Sequence, residues 1–394
     1  MRTLYLFTNH YPYSLQENFL EDEILELSRR FNKVIILSFD REKQTIRPVP
    51  ANCEVVSINI CPSRLKYIIR GLYHPYSFIF LIREFFRNKV FLSKSRLLAW
   101  GSSMRYLNNC LYDKKLKGIM DGMEKDDVAY FFWGIGQCLL SIPLKGKVHL
   151  VSRFHGEWDL WEESYGGFHS LRTEVARRLD RAVFISKKGE NYFKQRYPYC
   201  NTVVYPLGSK DYGVQKSNPD DNVLRVVSCS TVYPLKRVPL IFEVLNSMDD
   251  LKIEWTHLGG GSHFTELEEK VNIEKRDHLL VHLQGMMNHE QVMDYYKEHH
   301  FDLFMNLSTS EGVPVSIMEA MSFDIPILAT NVGSTSEEVT SQVGELVSPT
   351  PTIVEIATVI RKMLNSKYSP RDFWKGHYNA DKNYSEFADM LVRL

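Results

Sequence analysis

Short runs of β-branched and aromatic residues alternate with amphipathic stretches along the whole chain. In the first half the apolar runs are Thr3–Thr8, Lys33–Ser38, Glu54–Ile58, Val128–Trp133, His149–Phe154, Arg181–Ile185 and Thr202–Tyr205. In the second half they are Leu224–Cys229, Ile253–Leu258, Leu279–Leu283, Asp302–Leu307 and Pro326–Ala329. Many are continuously hydrophobic, as parallel strands buried on both faces are. Parallel strands need crossover connections, and segments such as Glu21–Phe31 and Val238–Met248 have the helical spacing to supply them. The pattern predicts an α/β protein of two doubly wound, Rossmann-like domains in series. The polar, turn-rich stretch Gly208–Asn222 reads as the linker between them.

Length agrees, since 394 residues suit two such domains better than one core. The 48 basic and 48 acidic residues cancel, which argues against a global nucleic-acid binder. Six scattered cysteines with no CxxC pair have neither zinc-ligand spacing nor the density of a disulfide scaffold. A reduced, cytoplasmic setting is expected. The N-terminus reads as a first strand and not as a signal peptide, and no apolar stretch approaches the ~18 residues that span a bilayer.

One segment differs in character. Between Cys61 and Trp100 stand Arg64, Lys66, Arg70, Arg83, Arg87, Lys89, Lys94 and Arg96 against one acid, Glu84, interleaved with aromatic residues such as Tyr67, Phe80 and Phe91. Such a segment suits peripheral contact with anionic lipid at the inner face of a membrane. The plain alternative is a helix pair with aromatics in its core and charges in water.

The stretch richest in chemistry is Ser308–Val339, STSEGVPVSIMEAMSFDIPILATNVGSTSEEV. A strand ends near Leu307, a turn follows, and Pro314 suits the first turn of a helix. Ile317, Met318 and Met321 fall with Pro314 on one side of that helix, and Glu319 falls off it. Free amides at the helix start suit a diphosphate, with Glu311 before the helix and Glu319 within it able to accept from sugar hydroxyls. Two glutamates at this spacing mean little alone and more often are surface charge.

This stretch resembles the family-4 glycosyltransferases of the GT-B fold. Glu311, Gly312, Pro314, Glu319 and Ala320 match the family's E-G-x-P-x-x-x-x-E-A pattern. Ile325–Thr330, Val332–Gly333 and Glu337 or Glu338 match the strand, turn and glutamate that follow it. The resemblance implies a GT-B architecture, two Rossmann-like domains facing a cleft, with a C-terminal helix crossing back to the first. It implies a retaining, metal-independent hexosyltransferase with no cofactor, whose donor is a UDP- or GDP-linked sugar. Glu311 would contact the donor sugar, Glu319 the ribose, and the amides of Val313, Pro314's neighbour Val315, and Ser316 the phosphates. Asp324 and Ser334 stand where the family often has glycine.

The family also carries a basic pair after the first strand of the second domain. Here Lys236 is kept, Thr231 occupies the usual arginine position, and Arg237 is expected to share the lysine's role at the diphosphate. A fixed cation is what a departing nucleoside diphosphate requires where no metal assists. Gly259–Gly261 resembles the family's next glycine turn, and Met286 and Met287 fall where such enzymes hold the base. In the first domain, SRFHGEWDLW (Ser152–Trp161) resembles a segment in which His155 meets the donor sugar while Arg153 and Asp159 orient its loop. The glycine-rich loop of many relatives is absent at Tyr13–Gln16, leaving Asn9, His10 and Glu17 to shape the acceptor pocket.

The expected organisation is thus an acceptor domain over 1–208, a donor domain over 209–372 and a tail, 373–394, packed back on the first. The acceptor would be the hydroxyl of a glycan or lipid-linked sugar, in surface polysaccharide biosynthesis. Two other readings stay open. A sugar-nucleotide epimerase of the same architecture would act on donor alone, and a non-catalytic sugar-nucleotide-binding partner subunit would turn nothing over.

Overall fold

In a computed structural model the described residues are 2–13, 17, 19–40, 47–60, 82–162 and 167–394. Residues 61–81 of the basic segment and Ser14–Gln16 of the N-terminal loop lie outside them.

The chain divides into two compact units. The first is Met1–Tyr205 with Tyr384–Leu394, and the second is Pro206–Asn383. In the first unit the strands are β1 (Thr3–Thr8), β2 (Lys33–Ser38), β3 (Cys53–Ser57), β4 (Val128–Phe131), β5 (His149–Phe154), β6 (Arg181–Phe184) and β7 (Thr202–Val204). They form a parallel sheet in the order β3-β2-β1-β4-β5-β6-β7. The order reverses between β1 and β4, where doubly wound sheets open a crevice at their strand C-termini.

Period-two alternation explains the continuous apolar runs. Leu4 and Leu6 of β1 pack on one face with Ile24 and Leu27 of helix Leu20–Arg30, while Tyr5 and Phe7 pack on the other with Met104 and Leu107. Burying both faces leaves few strand positions for a polar residue, Thr8 of β1 and Arg153 of β5 among them.

The second unit holds β8 (Val223–Cys229), β9 (Lys252–Leu258), β10 (Leu279–Leu283), β11 (Leu303–Asn306), β12 (Ile327–Thr330) and β13 (Gly344–Val347). This sheet is also parallel, ordered β10-β9-β8-β11-β12-β13. Its core gathers Val226 and Trp255 with Ile241 and Leu245 of helix Val238–Asn246 and Ile356 and Ile360 of helix Ile353–Met363. β13 has no counterpart among the expected runs, because Gly344 and Glu345 dilute its apolar character. Gly344 is needed there, since a Cβ would stand 1.9 Å from the Ile327 carbonyl oxygen.

The unit boundaries differ from the expected ones in two places. The chain changes unit at Tyr205–Pro206, so the stretch expected as a linker, Gly208–Asn222, lies wholly within the second unit. Residues 373–383, expected in the returning tail, also stay with the second unit. There Trp374 is fully buried with its indole N–H donating to Ser209 Oγ at 2.8 Å, and a Cβ on Gly208 would stand 2.6 Å from Ala380. The return begins at Tyr384, inside helix Ala380–Val392. Phe387, Ala388 and Leu391 join the core of the first unit, and Arg30 ties the helix down through Asp389 at 2.7 Å and Ser385 at 2.6 Å. Among the described residues no helix is long and apolar enough to cross a membrane.

Candidate functional site

Three loops at strand C-termini of the second unit build the site. After β8, a short 3-10 turn, Pro234–Lys236, presents Lys236. After β11 the chain bends at Asn306, whose side-chain oxygen accepts from the Ser308 amide and hydroxyl at 3.1 and 2.7 Å. The two loops are joined where the Thr309 amide donates to the Leu235 carbonyl at 2.8 Å. Glu311 then accepts from Lys236 Nζ at 2.6 Å and from Asn306 Nδ2 at 3.2 Å on the same oxygen, Oε1. Its side chain is 9% exposed and that of Lys236 is 20%, so water still reaches the cation.

The third loop, after β12, packs against the loop after β11. Gly333 has φ +52°, and a Cβ there would stand 1.7 Å from the Glu311 carbonyl oxygen, so only glycine lets the loops approach. Ser334 donates its amide to the Gly312 carbonyl at 3.1 Å with φ −100°, an ordinary value. The glycine absent at Ser334 is therefore not required. Asp324 does adopt the left-handed region, at φ +65°, which aspartate tolerates better than most residues. Its carboxylate accepts from the Arg371 amide at 3.0 Å.

Helix Val315–Ser322 starts directly behind Glu311, with Pro314 as the residue before its first turn and no side-chain cap. Among the described residues the amides of Val313, Val315 and Ser316 make no hydrogen bond, and Gly312 is half-buried. Uncapped amides at a helix start are a ready anion site. Glu319 does not lie off the buried side as expected. It is 8% exposed, and its Oε1 meets His289 Nε2 at 2.8 Å. His289 opens helix His289–Glu298, which Asn288 and Gln291 cap reciprocally. Sequence reasoning missed His289; a histidine just inside a capping box was the available signal.

Arg237 is not a second cation for an anion in this loop. Its backbone is left-handed at φ +48°, and its guanidinium donates to the carbonyls of Leu307, Ser308 and Pro349 at 2.5, 2.9 and 3.1 Å. It holds three strand-end carbonyls together. Thr231 sits under the glycine turn, where its methyl group and the Val232 backbone leave room only for Gly261. Met286 is exposed and Met287 half-buried, and the Met286 backbone lies against Gly260.

Of the two downstream glutamates, Glu337 is half-buried, and its carbonyl accepts from Tyr378 Oη at 3.3 Å. Glu338 is fully buried, with neither carboxylate oxygen partnered among the described residues. Burial first, then the charges of Glu311 and Glu337, hold its carboxyl well above the usual carboxylate range.

In the first unit, the segment after β5 is organised by Asp159. Its carboxylate accepts from the amides of His155 (2.9 and 3.0 Å), Gly156 (2.9 Å) and Gly134 (3.2 Å), and lies 3.3 Å from His155 Nδ1. The imidazole packs on Phe132 and Trp133, leaving Nε2 buried and without a partner among the described residues. Arg153 does not orient this loop. It is fully buried, paired with the equally buried Glu23, and its guanidinium lies 4.0 Å from the centre of the Phe387 ring. Glu17 is likewise an anchor, accepting from the amides of Asn9, His10 and Tyr11 at 3.0, 2.8 and 2.6 Å. Asn9 and His10, with Phe39, Tyr106 and Gln137, line a cavity of about 210 Å³. Among the described residues no group of three or more His, Cys, Asp or Glu side chains could hold a metal ion.

Comparison with known proteins places this architecture. Residues 210–380 match the family described as Glycosyl transferases group 1. Protein CapJ from Staphylococcus aureus is 23% identical over 206 residues, and the match spans half of this chain and about half the length of that relative. Among solved structures, sucrose-phosphate synthase from Thermosynechococcus elongatus superposes with a TM-score of 0.73 at 13% identity, covering 100% of this chain and 99% of its own. The lipopolysaccharide outer core galactosyltransferase WaaB gives 0.70 at 15% identity, covering 100% of both chains. HepE from Anabaena, solved in complex with UDP, gives 0.68 at 16% identity, again over 100% of both. The chain therefore has the GT-B fold, and the match to glycosyl transferases group 1 is confined to its second unit.

Proposed function

We propose that the protein is a retaining glycosyltransferase that moves a hexose from a nucleoside-diphosphate sugar to a hydroxyl of a glycan or lipid-linked acceptor. The observation that carries this reading is the pairing of Lys236 with Glu311 at 2.6 Å beside the uncapped start of helix Val315–Ser322. It supplies one mobile cation, a set of free amides and a fixed carboxylate within one loop cluster. On donor binding the ammonium turns to the diphosphate and Glu311 is released to accept from sugar hydroxyls. Glu319 shares its carboxylate between His289 and the ribose, and the backbone near Met286 and Met287 borders the base.

The bond from the anomeric carbon to the leaving phosphate breaks as the acceptor oxygen bonds the same face of that carbon. The acceptor's proton passes to the leaving phosphate, so no protein base is needed. The protein contributes positioning and charge stabilisation of the departing diphosphate. Because HepE was solved with UDP, UDP-linked donors are the first to try, followed by GDP-linked ones. The setting we infer is surface polysaccharide biosynthesis at the cytoplasmic face of a membrane.

Thr231 and the occupied Arg237 favour a second reading, a sugar-nucleotide-binding partner subunit without turnover. Product analysis with donor alone and with donor plus acceptor separates the possibilities. Transfer or slow donor hydrolysis supports the enzyme. Binding without turnover supports the partner subunit, and an epimerised donor supports neither.

A further inference from the structure

One hollow of the first unit gathers positive charge, away from every residue assigned above. Arg87, Lys89, Arg96 and Arg196 line one cavity of about 440 Å³, with Glu162 the one acidic side chain among the described residues lining it and Phe168 on its wall. Arg196 has Glu162 at 3.8 Å. Among the described residues no carboxylate pairs with Arg87, Lys89 or Arg96; Arg96 donates to the Asn88 carbonyl at 3.1 Å and lies over the Phe168 ring at 5.9 Å. Gathering like charges in one hollow is unfavourable unless an anion joins them.

The hollow is built, not a chance gap between side chains. Buried Glu84 ties its two walls together, accepting from the Leu171 amide, from Ser170 Oγ at 3.5 Å and from Asn88 Nδ2 at 3.3 Å. Lys89 on one wall and Leu171 beside the other hold left-handed backbone at φ +48° and +62°. Such conformations persist only where surrounding structure enforces them. The segment carrying Arg87 and Lys89 also exposes large apolar side chains, Phe86 at 65%, Phe91 at 53% and Leu92 at 67%, and the following helix exposes Leu98 at 59%. The Phe86 and Phe91 rings meet at 6.4 Å, and exposed apolar side chains close in sequence to cations without carboxylate partners complement a lipid surface, whose phosphates are anionic and whose chains are apolar.

We propose that this cavity binds the phosphate group of an anionic lipid, with Phe86, Phe91 and Leu92 entering the bilayer interface beside it. The phosphate is held by Arg87, Lys89 and Arg96, for which charge-assisted hydrogen bonds to phosphate oxygens are the strongest available partners. The inference is independent of the donor site, which lies in the other unit.

The full chain is tested by co-sedimentation with vesicles of phosphatidylcholine alone and with 30 mol % phosphatidylglycerol, in parallel with titration of inorganic pyrophosphate. The wild type is expected to sediment with the anionic vesicles only. The triple variant Arg87→Ala/Lys89→Ala/Arg96→Ala is expected to bind them at least about 10-fold more weakly, with unchanged nucleotide-sugar binding reporting an intact fold. Phe91→Ser/Leu92→Ser, which keeps the charges, is expected to weaken vesicle binding while leaving any pyrophosphate affinity alone. Equal vesicle binding by wild type and triple variant overturns the proposal. So does pyrophosphate binding that the triple variant loses, in a protein that ignores anionic vesicles, which assigns the cavity to a free phosphate compound.

Discussion

Two ion pairs, one in each unit, involve residues that the sequence motifs single out, and they do opposite work. Arg153 and Glu23 are both 0% exposed, enclosed by β5, helix Leu20–Arg30 and Phe387 of the returning helix. Lys236 and Glu311 stand at 20% and 9% on loops that end strands, beside unpartnered amides. The sealed pair cannot exchange its partner for a ligand without opening the core. The accessible pair can. Access to solvent and the presence of unfilled donors, more than charge or motif, separate a binding site from an internal brace.

The comparison can be broken most visibly at Glu311. Glu311→Gln is expected to lower transfer by about 100-fold or more, on the scale of removing one preorganised transition-state contact, with little change in melting temperature; steady-state kinetics and a thermal melt check both. Arg153→Ala should do the reverse, costing about 3–5 kcal/mol of stability because Glu23 is left buried and unpaired. In urea unfolding, Arg153→Met combined with Glu23→Leu should recover most of that loss.

Glu338 sharpens the contrast through pH. Its carboxyl is held above its unfolded value of 4.5, so the folded state keeps a proton that the unfolded state releases. Stability from this group is thus complete below that value and falls as pH rises above it, by up to about 1.4 kcal/mol per unit. The stability difference between wild type and Glu338→Gln should shrink or invert between pH 5 and pH 7. A constant difference would mean that Glu338 is ionised in the fold. The smallest effect is expected at His289, whose partner Glu319 is also reachable by water; His289→Ala should raise the donor KM roughly two- to fivefold.

Much of the fold is legible from apolar periodicity, because strands buried on both faces leave an unbroken hydrophobic trace. β13 escapes this reading because it is short and lies at the sheet edge, where Glu345 is tolerated. The nearness of Glu311 to Lys236 was legible only through family resemblance, since the residues are 75 positions apart. The roles of Arg153 and Arg237 were not legible. A sequence shows a guanidinium but not whether it meets a ligand, a buried carboxylate or three carbonyls. The returning helix was placed too early because Trp374 and Phe373 look like interface residues, whereas Trp374 belongs to the core that holds Ser209.

The central claim is that the Lys236–Glu311 pair opens to admit a nucleoside diphosphate. Isothermal titration of UDP- and GDP-linked sugars against the wild type and Lys236→Ala tests it most directly. The account predicts stoichiometric binding of one nucleotide class by the wild type and about 10-fold weaker binding by the variant, on the scale of one charge-assisted contact. Equal affinity of the two proteins for the same nucleotide sugar would contradict it.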